Sequence, residues 1–185
     1  MDSRTFLGLQ QTHNPFRWYL PVEMKLCTGG NFLYGGSALG AAISALEGAT
    51  GRNVIWVTVQ YLSYARPGEV MDIDVIVPVT GNAITQARVI ARVGEREIIT
   101  VNAALGDREL EEHGQFEKMP LNIPKPLDCK ERPHVLDWSG TISGRMDQRM
   151  VKGREELEEL DGTPGDGQVL LWSRIPEVIE GVDAA

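Results

Sequence analysis

Residues 31–51, NFLYGGSALGAAISALEGATG, decide how the rest of the chain must fold. Leu39, Ile43 and Leu46 recur at i, i+4 and i+7, the spacing of one helix face. Ala38, Ala41, Ala42 and Ala45 make the remaining surface small and apolar too. This predicts a helix over 37–47 that is buried nearly all round. Gly40 lies inside it and lowers helix propensity by about 1 kcal/mol relative to alanine. The compensation expected there is a close approach to a neighbouring surface. Gly48 and Gly51 supply the C-terminal stop. Gly35 and Gly36 open the helix, and Ser37 reads as its N-cap.

A buried helix needs a cover, and the segment that follows it is rich in strands. NVIWVTVQYL (53–62) is nearly continuous in β-formers, as expected of a strand covered on both faces. ARPGE (65–69) turns the chain. VMDIDVIVPV (70–79) alternates, with Met71, Ile73, Val75, Val77 and Val79 on one face and Asp72 and Asp74 on the other. TGN (80–82) reads as a hairpin turn, and AITQARVIARV (83–93) points Gln86, Arg88 and Arg92 outward. GER turns the chain into EIITVNAALG (97–106). These strands predict a four-stranded antiparallel meander whose apolar face closes over the helix. That is an α+β arrangement, the hot-dog fold. Upstream, 6–11 and 16–26 read as short strands, with Pro21 favouring an edge or a bend.

Composition sets the outer bounds. The chain has 185 residues, a net charge of −8, 42% apolar and 24% charged residues. The negative charge argues against nucleic acid as the main partner. Much of it is local, in DRELEEHGQFE and GREELEELDG, which read as solvated surface. No run approaches the ~18 apolar residues of a membrane span. MDSRTFLGLQ lacks a signal peptide's apolar stretch, so a cytoplasmic protein is expected. Cys27 and Cys129 read as free thiols. His13, His113 and His134 are scattered, so neither a metal nor a cofactor is expected.

Motifs extend this reading. Gly35–Gly36 opens the helix, Tyr64 precedes Arg66–Pro67–Gly68, and Gly81 precedes Arg88–Val89 in the following hairpin. In this order and spacing they resemble the acyl-CoA thioesterase II type, the double hot-dog thioesterases, over roughly residues 20–106. The resemblance implies an N-terminal hot-dog over 1–106 and a linker over 107–135, the latter marked by MPLNIPKP. It also implies the opening strands of a second, incomplete hot-dog over 136–185, with SGRMDQRMV (143–151) and GQVLLWSRIPE (167–177) as strands. In that family an Asp early in the second hot-dog helix activates water, aided by a Thr and a Gln. The counterpart of that Asp is expected beyond Ala185, and Asp183 is not taken for it. The matching first-half positions fall near Ser37 and near Asn102 or Ala103, so this half is expected to be scaffold and pocket wall.

Thioester hydrolysis requires a polarised carbonyl, an activated water and a hold on CoA. Backbone N–H groups of Gly35, Gly36 and Ser37 suit the first task, since a helix start presents donors and a positive dipole end. The alternative is that the glycines only shape the turn. Gln60 is a polar residue in an apolar strand that either faces the acyl-thioester pocket or is a satisfied sheet glutamine. Arg66, Arg88 and Arg92 either hold CoA phosphates or are surface residues. Asp72 and Asp74 read as solvated, and Trp56, Trp138 and Trp172 as core or interface. The expected function is hydrolysis of a fatty acyl-CoA to free acid and CoA, with this chain as the N-terminal half. The alternative is a non-catalytic acyl-CoA-binding or dimerising hot-dog module. A dehydratase or hydratase ranks last, because residues 29–45 contain neither His nor Asp. The expected partners are acyl-CoA and further copies of the chain, joined by hot-dog sheet pairing.

Overall fold

The chain enters through a short helix, α1 (Ser3–Leu7), whose last two residues open the segment 6–11 that reads as a strand. Asp2 caps it by accepting the Thr5 N–H at 2.8 Å, and Gly8 ends it in the left-handed region. Strands β1 (Gln10–Gln11) and β2 (Arg17–Pro21) follow. The computed structural model describes residues 1–106, 114, 119–120, 122–132, 138–153 and 162–177.

The long helix α2 spans Gly35–Thr50. It begins two residues before the expected start, with Tyr34 as an N-cap that makes no side-chain hydrogen bond. Ser37 is therefore not the cap: it sits inside the first turn and is buried. Gly51 stops the helix in the left-handed region, at φ 67°. Gly48 stays helical, and its role is close packing: a Cβ there would lie 2.6 Å from the buried Trp18 ring. At Gly40 the nearest atom to such a Cβ is Leu7 Cδ1 at 3.8 Å, an ordinary contact. The close approach expected at Gly40 thus occurs two turns later.

The remaining strands of the main sheet are β3 (Val54–Tyr61), β4 (Val70–Thr80), β5 (Ile84–Val93) and β6 (Arg96–Gly106). All neighbours pair antiparallel, in the order β1-β2-β4-β5-β6-β3. The meander is therefore β4-β5-β6, and β3 returns to the far side of β6, with Thr58 opposite Asn102. As the sheet's end strand, β3 is not covered on both faces. Ile55 and Trp56 are exposed, so Trp56 is not a core residue. The alternation of β4 fails after Val77: a register irregularity between Ile76 and Val79 surrounds Pro78, which cannot donate to the ladder, and Val79 is exposed.

The concave face of the sheet wraps α2, which is the hot-dog fold. Met71 and Ile73 of β4, Val89 and Ala91 of β5, and Ile99, Val101 and Leu105 of β6 are buried against it. The helix offers Ala38, Ala41, Ala42, Ala45 and Leu46 as its buried apolar face, while Leu39 and Ile43 are only half-buried. Alanines lie on that face because they let the sheet approach; of the larger stripe expected from periodicity, Leu46 is buried there while Leu39 and Ile43 are turned partly aside. Helix α1 packs on α2, where the Ser3 and Ser44 hydroxyls lie 3.2 Å apart.

A second antiparallel sheet has the order β7 (Lys130–Glu131), β8 (Asp147–Lys152) and β9 (Leu170–Arg174). It carries the two strands expected over 143–151 and 167–177. Ile142 N–H donates to Cys27 C=O at 2.9 Å, and Arg145 lies 4.4 Å from the Phe6 ring centroid, so this segment packs on the N-terminal residues. Trp138 and Trp172 are half-buried, and Cys27 and Cys129 are free and buried. His113, His134, Asp183 and much of 107–135 lie outside the described residues.

Candidate active site

The crossover that returns β3 to the far side of β6 also creates the site. Residues 62–69 must travel from one edge of the sheet to the β2–β4 side, and they do so past the start of α2. Ala65 C=O accepts Leu33 N–H at 2.8 Å, and Val22 C=O accepts Gly68 N–H at 2.9 Å, which pins this crossing segment to the loop entering the helix. A crevice of about 270 Å³ opens beneath it. Its lining is largely apolar: Phe32, Leu33, Ala38, Tyr61, Ile98 and Ile99 contribute, and Gly35 faces it from the helix start.

The first helical hydrogen bond runs from Ala38 N–H to Tyr34 C=O at 3.1 Å. The N–H groups of Gly35, Gly36 and Ser37 precede it, so the helix offers them no acceptor. They sit at the positive end of the helix dipole. The rings beside both glycines leave little room: a Cβ on residue 35 would lie 3.0 Å from the Tyr61 ring, and one on residue 36 would lie 2.4 Å from the Tyr34 ring. The Tyr61 hydroxyl donates to Gly35 C=O at 3.2 Å. Burial, with a smaller contribution from the neighbouring Tyr34, pushes the Tyr61 phenol above its ordinary range.

Arg66 follows Tyr64 and Ala65, which line the crevice, but is not itself in that lining. Its guanidinium donates to the Tyr64 hydroxyl at 3.3 Å, and this hydrogen bond, with the adjacent positive charge, holds the Tyr64 phenol below its usual range. Arg96 braces the other side of the segment. It donates to Tyr64 C=O and reaches the Glu69 carboxylate at 3.0 Å. Glu69 in turn accepts Arg66 N–H at 2.6 Å, and that bond, with Arg96, lowers its pKa.

The structure brings Gly35 into this lining, with Gly36 and Ser37 next in the helix, and sets Arg66 on the hydroxyl of Tyr64, which lines it; it leaves two candidates away from it. Gln60 is exposed, on the face of β3 opposite Val59, and does not line the crevice. Its neighbour Tyr61 lines the crevice in its place. Arg88 is exposed at the middle of β5, opposite Asn102, on the convex face with Gln86. Arg92 is tied into ion pairs with Glu97 and Asp74. Sequence reasoning missed Tyr61, Ile98, Ile99 and Arg96. Tyr61 closes a strand that reads as buried on both sides, and Arg96 sits in a GER segment that reads only as a turn. Among the described residues no cluster of His, Cys, Asp or Glu could hold a metal ion, and no helix is long and apolar enough to cross a membrane.

No family model and no curated protein matches the sequence. Solved structures do. A candidate thioesterase of Novosphingobium aromaticivorans is 26% identical with a TM-score of 0.75, over 90% of this chain and 64% of that one. The acyl-CoA thioesterase II TesB2 of Mycobacterium marinum is 19% identical, TM-score 0.68, over 96% of this chain and 62% of that one. A protein of unknown function with a hot-dog fold from Alicyclobacillus acidocaldarius is 14% identical, TM-score 0.70, over 82% and 56%. The chain thus spans about six-tenths of the length of these neighbours. In fold, this chain is a hot-dog protein whose structural neighbours include thioesterases of the acyl-CoA thioesterase II type.

Proposed function

We propose that the chain forms the N-terminal half of an acyl-CoA thioesterase, which hydrolyses a fatty acyl-CoA to the free acid and CoA. The observation that carries this is the uncapped start of α2 opening onto an apolar crevice of about 270 Å³. The crevice suits the acyl chain. The N–H groups of Gly35, Gly36 and Ser37 suit the carbonyl oxygen, whose charge grows as water adds to the carbonyl carbon. The carbon–sulfur bond then breaks, the acid is released and the CoA thiolate takes a proton.

Among the described residues no carboxylate or imidazole lines the crevice, and residues 29–45 include none. The water-activating group is therefore assigned to a second hot-dog, of which residues 136–185 are the opening and 107–135 the linker. The open edge of β3 is the surface on which that hot-dog, or a second copy of the chain, continues the sheet. This protein is placed in the cytoplasm. The same absence of a base favours a second reading, an acyl-CoA-binding module without turnover.

Thiol release from short- and long-chain acyl-CoA tests the proposal. Turnover at any chain length, by the chain joined to its second hot-dog, is the expected result. Acyl-CoA binding with no turnover leaves the second reading, and no binding overturns both.

A further inference from the structure

Beside the apolar crevice, and sharing Phe32 and Tyr64 with it, lies a more open cleft of about 600 Å³. Gly30, Asn31, Arg66 and Pro67 complete its lining. The two spaces differ in chemistry. The crevice adds Tyr61 and the aliphatic side chains of Leu33, Ala38, Ile98 and Ile99 to those two shared rings, with no charged group in its lining among the described residues. The cleft is bounded by two aromatic rings and a guanidinium.

Both rings are fixed although they face solvent. Phe32 is 42% exposed and Tyr64 50% exposed, with centroids 6.5 Å apart and planes inclined at 58°. Phe32 is held by its loop. Thr28 N–H donates to Phe32 C=O at 2.8 Å, Gly30 N–H donates to the Thr28 hydroxyl at 3.2 Å, and Gly30 leaves room for the ring, since a Cβ there would lie 2.5 Å from it. Tyr64 is held at its hydroxyl by Arg66 and at its carbonyl by Arg96. Exposed rings held in place beside a void point to a ligand more than to packing.

The charge around them is uneven. Glu69, the nearest carboxylate, is taken by Arg96 and by the Arg66 N–H. The Arg66 guanidinium makes its hydrogen bond to a neutral hydroxyl, and among the described residues it has no ion pair. A cation placed this way is suited to a phosphate. A cleft of 600 Å³ falls within the range of small-molecule sites, about 300–1,000 Å³. One guanidinium in the cleft, on a chain of net charge −8, is too little for a nucleic-acid strand, so a single nucleotide fits better.

We propose that this cleft is a nucleotide subsite in which an adenine rests against Phe32 and Tyr64 while Arg66 takes a phosphate. It rests on the thioester reading above, and its ligand is the adenosine bisphosphate end of CoA. Arg96 is a positioning residue that holds the Tyr64 backbone. Arg88 has no part in it.

Calorimetric titration with adenosine bisphosphate alone tests the subsite. The chain binds it, and Tyr64→Ala and Arg66→Gln each weaken binding roughly tenfold. Tyr64→Phe retains most of the affinity, and Arg17→Gln, at the far end of β2 and paired with Asp74, leaves it unchanged. No binding by the unaltered chain overturns the subsite, as does a Tyr64→Phe loss equal to that of Tyr64→Ala. Thiol release from acyl-CoA and from acyl-pantetheine, which lacks the nucleotide, separates the two readings. In the expected case Arg66→Gln raises KM for acyl-CoA and leaves that for acyl-pantetheine unchanged. Nucleotide binding without hydrolysis of either thioester overturns the thioester reading and supports the subsite. Hydrolysis of both with no Arg66→Gln effect overturns the subsite and leaves the thioester reading standing.

Discussion

Tyr61 and Gly35 close the start of α2 together: the phenol donates to the Gly35 carbonyl at 3.2 Å, and its ring occupies the space a Cβ on residue 35 would need. Tyr61 is 55% exposed, and a Cβ on residue 35 would meet only the far side of its ring. Gly35→Ala should therefore shift stability by no more than about 0.5 kcal/mol, like a surface change, while breaking the Tyr61 contact. Gly48→Ala should differ sharply, because its Cβ would meet Trp18, which is only 3% exposed and has nowhere to go. Overpacking there should cost about 1–3 kcal/mol. Urea unfolding of the two variants checks this, and equal losses would refute the contrast.

Leu46 is the largest side chain that α2 buries completely. Truncation leaves a cavity between helix and sheet that flanking alanines are too short to fill. Leu46→Ala should lower stability by about 2–5 kcal/mol. The half-buried Ile43 gives the comparison: Ile43→Ala should cost clearly less in the same denaturant titration.

Among the described residues strand β3 presents an unpaired edge of eight residues, VIWVTVQY, without a charge or a proline. Such an edge pairs readily with another strand. In sedimentation velocity the chain should self-associate, and Trp56→Lys should shift it toward monomer with its circular dichroism unchanged. A wild-type monomer at all concentrations would remove edge pairing between copies.

Glu69 titrates below its ordinary 4.5, chiefly because Arg66 N–H donates to it and secondarily through Arg96. A carboxyl with a depressed folded pKa adds stability that is complete above the unfolded value and lost as the pH falls through the folded one. Glu69→Gln should therefore be less stable than the unaltered chain near neutrality, and the gap should close on acidification below 4.5. Urea midpoints across that range measure it. A gap independent of pH would mean that Glu69 acts by packing alone.

Much of the fold was legible because hydrophobic period is a local property. The alternation of 70–77 and 83–93 and the small-residue run at 37–47 each state which face is buried without reference to anything distant. The Arg-Pro-Gly turn and the Gly-Gly helix start were legible for the same reason. What failed was non-local. Nothing within 53–62 says that this strand is the sheet's last, because an edge is defined by the missing neighbour. Gln60 followed the same error: once β3 is an edge strand whose inner face is Val57 and Val59, Gln60 must point away and Tyr61 must reach the helix. Gly40 and Gly48 look alike in sequence, and only the position of Trp18 separates them.

The sequence by itself determined that one small-residue helix would be wrapped by antiparallel strands, since burying that helix and those alternating faces leaves few other solutions. Only the tertiary structure decided where the site lies. The crossing of residues 62–69 past the start of α2 brings Tyr61, Tyr64 and Arg66 together with Phe32 and Gly35, residues some 30 positions apart. No local pattern encodes that meeting, because it depends on which edge of the sheet β3 joins.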